Sequence, residues 1–322
     1  MKPWLWAAIL VAGVAHAQTD WKLATGYRAE SFHTRNLVQF AQDVELATQG
    51  RLRMEVVPNN GLYRLAEIPG AVQAGKAQGG EVIMNNLVKD MPIAGADSVP
   101  FVVGSYADAK RMWQYQRPLV ESHFAQLGMK VLYAAAWPPQ GLHSRKPISG
   151  LADFANTGMR TYNLSTVRIA ELLHAQPVDV PMVDVGKALA EGRMDNMITS
   201  AVTGVENKVW GDIKYFYEIN AWFPKNIVFV NLKAFDALPP ASQKALMEAA
   251  GRAEQRGWEM SQQAASDALA EFRAHGVKIE RIPRELEGEI QRMGEKFSRE
   301  WVRSVGNEAN SIFIPYYVKQ VL

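Results

Sequence analysis

The chain has no cysteine. That excludes disulfide staples, thiol catalysis, iron–sulfur clusters and cysteine-held zinc. With 322 residues, 48% of them hydrophobic, it is long enough to stabilise one large or two medium domains by core burial alone. Excess charge of one sign is also missing: the formal net charge is +2. So balanced a surface gives no reason to expect nucleic acid or an anionic membrane as partner.

Motifs of known chemistry are missing too. There is no GxSxG, HExxH or GxGxxG. Beyond the N-terminal leader, His33, His123, His143, His174 and His275 form no i,i+4 pair, so neither a metal site nor a cofactor is expected. "GAVQAGKA" has the spacing of a phosphate loop through Gly70, Gly75 and Lys76. Ala77 stands where the magnesium-binding Ser or Thr belongs, and the run reads as a helix stopped by Gly75. Asp195 and Glu206 offer an acid/base pair only in the sense that any two carboxylates do.

What is present begins with a leader. "MKPWLWAAILVAGVAHAQ" has an early Lys, an apolar run and the small-residue site Ala15-His16-Ala17. Residues 1–17 therefore read as a cleavable signal peptide, and the mature chain from Gln18 is expected to be exported and periplasmic. No later apolar run is long enough to cross a bilayer.

Beyond the leader, strand and helix patterns alternate. "DWKLATGY", "RLRMEVV", "GEVIM" and "KVLYAAAW" read as strands, separated by helical runs such as the one carrying Leu37, Phe40, Ala41 and Val44. The pattern then restarts with "GMRTYN", "QPVDVP", "MDNMIT" and "NIVFVN". This predicts an α/β protein with largely parallel sheet, in two lobes with a ligand cleft where strand ends face each other. After Pro239-Pro240, residues 241–275 contain no proline and are good helix formers. Unbroken at Gly251 and Gly257, such a helix would be about 50 Å long and would span both lobes.

Several segments together resemble a known family. "FAQDVELATQGRLRMEVVPNNGLYRLAEIPGAVQAG", "DSVPFVVGSYADA", "RKPISGLADFANTGMRTYN", "AQPVDVPMVDVGKALAEGRMDNMIT" and "FDALPPASQKALMEAA" occur in order. They are similar to the DctP-type extracytoplasmic solute receptors of tripartite ATP-independent periplasmic (TRAP) transporters. Asn156 and Met159 depart from the usual Gly and Lys of the central motif. The resemblance implies two α/β lobes joined by strands and a long spanning helix. The expected division is 18–137 plus 226–265 for lobe I and 138–225 plus 266–322 for lobe II. It further implies a binding protein rather than an enzyme. The ligand would be a small organic acid, and the partners a small and a large membrane subunit driven by an ion gradient. The receptor itself is expected to be a monomer.

The resemblance also assigns a role to Arg160, in the middle of the strand "GMRTYN". A guanidinium presents a planar fork of donors that matches a carboxylate. The alternative is an internal salt bridge to a neighbour such as Asp153 or Asp195. Thr199 and Ser200 fall at the family's polar contact in the second lobe, where Asn is common. Trp222 falls at an aromatic contact, and Trp137 at the crossing between lobes, either in the cleft or as hinge packing. Tyr27, Tyr63, Asn85 and Asn86 follow strand ends or sit in cleft-side loops of lobe I. Asn163 neighbours the arginine, and Thr161 and Tyr162 shape the same pocket. Arg145 is either a second anion contact or a surface charge. The aromatic candidates favour a keto or aromatic monocarboxylate, with a C4-dicarboxylate as the family's usual ligand. The competing classes are a receptor of another exported family and an exported α/β enzyme. One continuous helix at 241–275 separates the first of these from the TRAP-type architecture.

Overall fold

The computed structural model describes residues 18–318; the expected signal peptide, 1–17, lies outside the described residues. The chain first lays down β1 (Thr19–Thr25), α1 (Phe32–Ala47), β2 (Leu52–Val57), α2 (Ile68–Gln73), β3 (Gly79–Ile83), α3 (Tyr106–Gln126) and β4 (Met129–Ala136). It then crosses into β5 (Gln140–Ser144), β6 (Gly158–Thr161), α4 (Leu164–Leu172), β7 (Gln176–Asp179), α5 (Val185–Ala190), β8 (Asn196–Ser200), α6 (Ala201–Glu206) and β9 (Tyr215–Tyr217). The strand β10 (Lys225–Asn231) returns, followed by α7 (Leu232–Asp236), α8 (Pro240–Ala274), β11 (Lys278–Glu280), α9 (Arg284–Val305) and α10 (Asn307–Val318).

Two sheets result, ordered β2-β1-β3-β10-β4 and β11-β9-β5-β8-β6-β7. Neither is wholly parallel. In lobe I, β10 runs antiparallel to β3 and β4; in lobe II, β5 runs antiparallel to β8 and β9. The reason is the crossing itself. A strand arriving from the other lobe enters its sheet at the cleft, so it runs against strands that end there.

The register makes this concrete. Lys225 at the start of β10 pairs with Ala136 at the end of β4, and Gln140 at the start of β5 pairs with Ser200 at the end of β8. The two crossing segments also bond each other. Trp137 N donates to Pro224 O (2.7 Å), Gln140 N to Trp222 O (3.0 Å) and Ala221 N to Gln140 O (2.9 Å). The ribbon is anchored in lobe I by the buried ion pair Lys225 Nζ–Asp97 Oδ2, 2.9 Å.

The third connection is α8. Its 35 residues run without a break, about 50 Å. Leu246, Ala249, Ala250 and Ala253 pack with Leu37, Phe40, Ala41 and Val44 of α1 in lobe I. Farther on, Ala268 and Phe272 pack with Val202 and Phe216 of lobe II. The expected spanning helix is thus one element.

The C-terminal segment departs from the expected division. β11 joins the lobe II sheet, but α10 packs on α3, and both α9 and α10 cover the 92–98 turn of lobe I. Phe297, Trp301, Ile312, Phe313 and Tyr316 share a core with Ile93, Met112 and Phe124. The amphipathic helices pack on these lobe I elements, whereas the expected division placed 266–322 with lobe II.

Candidate ligand-binding site

A cavity of about 710 Å³ lies between the lobes. Lobe I contributes the ends of β1 (Gly26, Tyr27) and β3 (Ile83, Asn86) and the loop after β2 (Asn60, Arg64, Leu65). Lobe II contributes the ends of β6 (Arg160, Tyr162), β7 (Asp179) and β8 (Thr199, Ser200) and the 181–184 loop. Trp137, Gln140 and Pro224 of the hinge ribbon complete the wall. Such a position, outside the carboxyl ends of parallel strands, is where α/β sheets bind ligands.

Local sequence explains how the walls are held. The loop after β2 is pinned to the end of β1, with Asn59 N donating to Tyr27 O at 2.8 Å. Asn60 adopts φ 56° and accepts from Leu65 N at 3.1 Å. Gly26 permits this approach, since a Cβ there would stand 2.7 Å from Asn60 Oδ1 and 2.9 Å from Leu65 Cβ. On the opposite side Asn163 caps α4, accepting from Thr166 N at 2.9 Å. Strand β6 therefore ends at Thr161, and Tyr162 is fixed at the cavity wall.

Arg160 is 4% exposed, in a strand flanked on both sides. Its Nε donates to Val180 O at 2.9 Å. Neither Nη group has an acceptor or an ion-pair partner among the described residues. Asp179, on the same cavity wall, favours its charge without reaching ion-pair distance, and the two carboxylates named as alternatives from the sequence are engaged elsewhere. Asp153 accepts from Ser149 N and Gly150 N, and Asp195 accepts from Gly158 N at 3.0 Å. Burial pushes the guanidinium down to about 10, so it still holds its charge at neutral pH.

Several of the surrounding polar groups are already paired in ways that fix them. Thr199 Oγ1 donates to Thr203 Oγ1 at 3.1 Å, and Ser200 caps α6. Tyr27 Oη and Trp137 Nε1 both donate to Asn226 Oδ1, at 3.1 and 2.7 Å. Asn86 Oδ1 is buried without a partner. The result is a cationic fork with free Nη groups, three aromatic walls and a few fixed polar groups, a chemistry suited to an anion.

Of the sequence-predicted residues, the cavity brings together Arg160, Thr199, Ser200, Trp137, Tyr27 and Asn86. Trp137 is in the hinge ribbon and in the cavity wall at once. Five others are not among its lining residues. Trp222 is buried in the ribbon behind the wall. Tyr63 packs, half-buried, against a hydrophobic core shared by both lobes. Asn85 is buried and accepts from Ser165 Oγ of lobe II at 3.2 Å. Asn163 commits its Oδ1 to the helix cap, while its Nδ2 is buried without a hydrogen-bond partner. Arg145 is neither a cavity residue nor a free surface charge. It ties lobe II together through Asp212 (2.7 Å), Met194 O and Leu189 O.

Sequence reasoning missed Asn60, Arg64, Leu65, Gln140, Asp179 and Met182. Applying the strand-end rule to every strand, including β2 and β7, would have found most of them.

Comparison with known proteins agrees with this fold. The family model for bacterial extracellular solute-binding proteins, family 7 (DctP), matches residues 24–304. A crystal structure of DctP6, a Bordetella pertussis extracytoplasmic solute receptor binding pyroglutamic acid, is 37% identical. It covers 93% of this chain and 99% of its own, with a TM-score of 0.91. A marine metagenome TRAP solute-binding protein specific for pyroglutamate is 31% identical over 94% of this chain and 99% of its own, TM-score 0.91. The 2,3-diketo-L-gulonate-binding periplasmic protein YiaO of Escherichia coli is 24% identical over 76% of this chain and 78% of its own. Family model, two-lobed fold and interlobe cavity converge: the chain belongs to the DctP family of TRAP-type extracytoplasmic solute receptors, which bind small organic acids.

Proposed function

We propose that this receptor binds a small cyclic monocarboxylate of the pyroglutamate kind, with the ligand's carboxylate on the Nη groups of Arg160. The observation that carries the reading is the buried Arg160 fork, which has one donor committed to Val180 O and the rest free among the described residues. A carboxylate would satisfy it in bidentate fashion and give the buried guanidinium a directly bonded counter-charge. The flat walls of Tyr27, Trp137 and Tyr162 suit a compact ring more than a chain of hydroxyls. The 31–37% identity to receptors described as binding pyroglutamate supports the same class. A C4-dicarboxylate would need a second cation, and Arg64 is exposed. A monomeric, exported receptor would then hand the acid to a small and a large membrane subunit and catalyse nothing itself.

The test is calorimetry and thermal unfolding of the mature chain with pyroglutamate, succinate and glucuronate. Pyroglutamate should bind most tightly and, at about 100 times its Kd, add about 2.7 kcal/mol of stability. Tighter binding of succinate would replace the monocarboxylate reading with the dicarboxylate one.

A further inference from the structure

Arg28 follows the cavity residue Tyr27 in the loop between β1 and α1 of lobe I, yet all its side-chain partners lie in lobe II. Nη1 donates to Glu206 O, and Nη2 donates to Val183 O at 2.9 Å and to Asn207 Oδ1 at 3.2 Å. None of the acceptors is charged, and Arg28 has no ion pair among the described residues.

The acceptors are gathered by lobe II alone. Glu206 O is a carbonyl of the last turn of α6, left without a helical partner. Asn207 Nδ2 donates to Thr203 O at 2.9 Å, which turns its Oδ1 outward. The same Oδ1 receives Gly186 N at 3.4 Å, and a Cβ at Gly186 would stand 2.8 Å from Asn207 O. The cradle therefore exists before Arg28 arrives, and Val183 in it is also a cavity wall. On the other side of the cavity, Ser165 Oγ of α4 donates to Asn85 Oδ1 of lobe I at 3.2 Å. Arg168 of α4 grips Glu300 of α9 through two bonds of 2.9 Å. That second clasp is more than one-third exposed and contributes little by itself.

We propose that Arg28 is an interlobe clasp that sets how long the closed receptor holds its ligand. It contacts no ligand; it acts by closing lobe II over the cavity. Three bonds from a charged donor form only when the lobes meet, so they stabilise the closed form against the open one. Their loss should appear in the dissociation rate rather than the association rate. The inference rests on the ligand-receptor reading but is independent of which acid is bound.

The absence of cysteine allows a direct test. Spin labels on cysteines at Glu55 and Lys187, exposed residues of lobes I and II, report the interlobe distance by pulsed electron resonance. In Arg28→Met the short-distance population should fall relative to the parent, with and without pyroglutamate. Stopped-flow tryptophan fluorescence should show pyroglutamate leaving about tenfold faster, with an association rate within twofold. Arg28→Lys should lie between. Thermal unfolding of the ligand-free Arg28→Met chain should stay cooperative, its midpoint lowered only to the extent that the ligand-free parent populates the closed form. Identical distance distributions in parent and variant would overturn the clasp. A parent that fails to bind pyroglutamate would overturn the ligand assignment, and the ligand-free distances would still decide the clasp.

Discussion

The guanidinium of Arg160 stands over the ring of Tyr162, 4.6 Å from its centre. The two side chains leave one strand end two residues apart, and the cap at Asn163 fixes the second against the first. An aromatic face beneath a buried cation offsets part of the lost hydration without using a donor. The charge is thus tolerated at the strand end, while its Nη groups have no acceptor among the described residues.

That arrangement separates affinity from stability. Arg160→Met should abolish acid binding, with at least a hundredfold loss by calorimetry. The ligand-free fold should be equally or more stable, since a buried unpaired charge is removed. Arg160→Lys keeps the charge and loses the fork, so it should weaken binding markedly. Unchanged affinity in the lysine variant would contradict the assigned role.

Asn226 sits behind the site and holds two of its walls. Its Oδ1 accepts both Tyr27 Oη and Trp137 Nε1, and its side chain faces the buried carboxyl of Glu81. Asn226→Leu would orphan two buried donors, at about 1–3 kcal/mol each. Urea unfolding should show that loss, and acid binding should weaken as the aromatic walls loosen. A variant with parental stability would mean that the two donors find other acceptors.

Much of this was legible in the sequence because it depends on local pattern. Leu37, Phe40, Ala41 and Val44 mark the buried face of α1, and the proline-free run after Pro240 gives α8 its length. Arg160 was legible as a charge where a strand should be apolar. What could not be read depends on contacts between distant segments. β5, β9 and β11 are short and take their pairing from the lobe II sheet, so their own residues carry little strand signal. The fate of Arg145 was decided by Asp212, 67 residues away. The return of α9 and α10 to lobe I was decided by an apolar surface on α3 that alternation does not reveal.

Glu81 should make stability depend on pH. It is buried in β3, accepting from Thr25 Oγ1 at 2.9 Å and facing His33 Nδ1 at 3.5 Å. Burial raises its carboxyl to about 7, and pushes the His33 imidazole well below its usual range, so His33 is neutral at pH 7. The folded chain keeps the Glu81 proton where the unfolded chain, with an ordinary value of about 4.3, has released it. Its contribution to stability is therefore full at low pH, falls between about pH 4.5 and 7, and is flat above. Glu81→Gln removes this loss. The variant should match the parent near pH 4.5 and exceed it by about 3 kcal/mol at pH 8. Taking the difference between the two chains cancels the opposite trend from the buried histidines. A difference independent of pH would show that Glu81 does not hold a proton in the fold.

Two glycines of α8 should respond oppositely to the same substitution. At Gly251, which is exposed, an added Cβ meets nothing within 4 Å. Gly251→Ala should stabilise the protein by about 0.5–1 kcal/mol through helix propensity and a less flexible unfolded chain. At Gly257 the Cβ would stand 2.7 Å from Ala135 Cβ of β4 and 2.8 Å from Asn36 Nδ2 of α1. Ala135 cannot move without its strand. Asn36 is held by Ala253 O at 2.9 Å and by Arg256 Nε at 2.8 Å. Overpacking of about 1–3 kcal/mol then outweighs the propensity gain, so Gly257→Ala should lower stability in urea unfolding. If it stabilised the chain as Gly251→Ala does, α8 would not be seated against β4 at this depth, and the spanning helix would be less tightly joined to lobe I than its packing indicates.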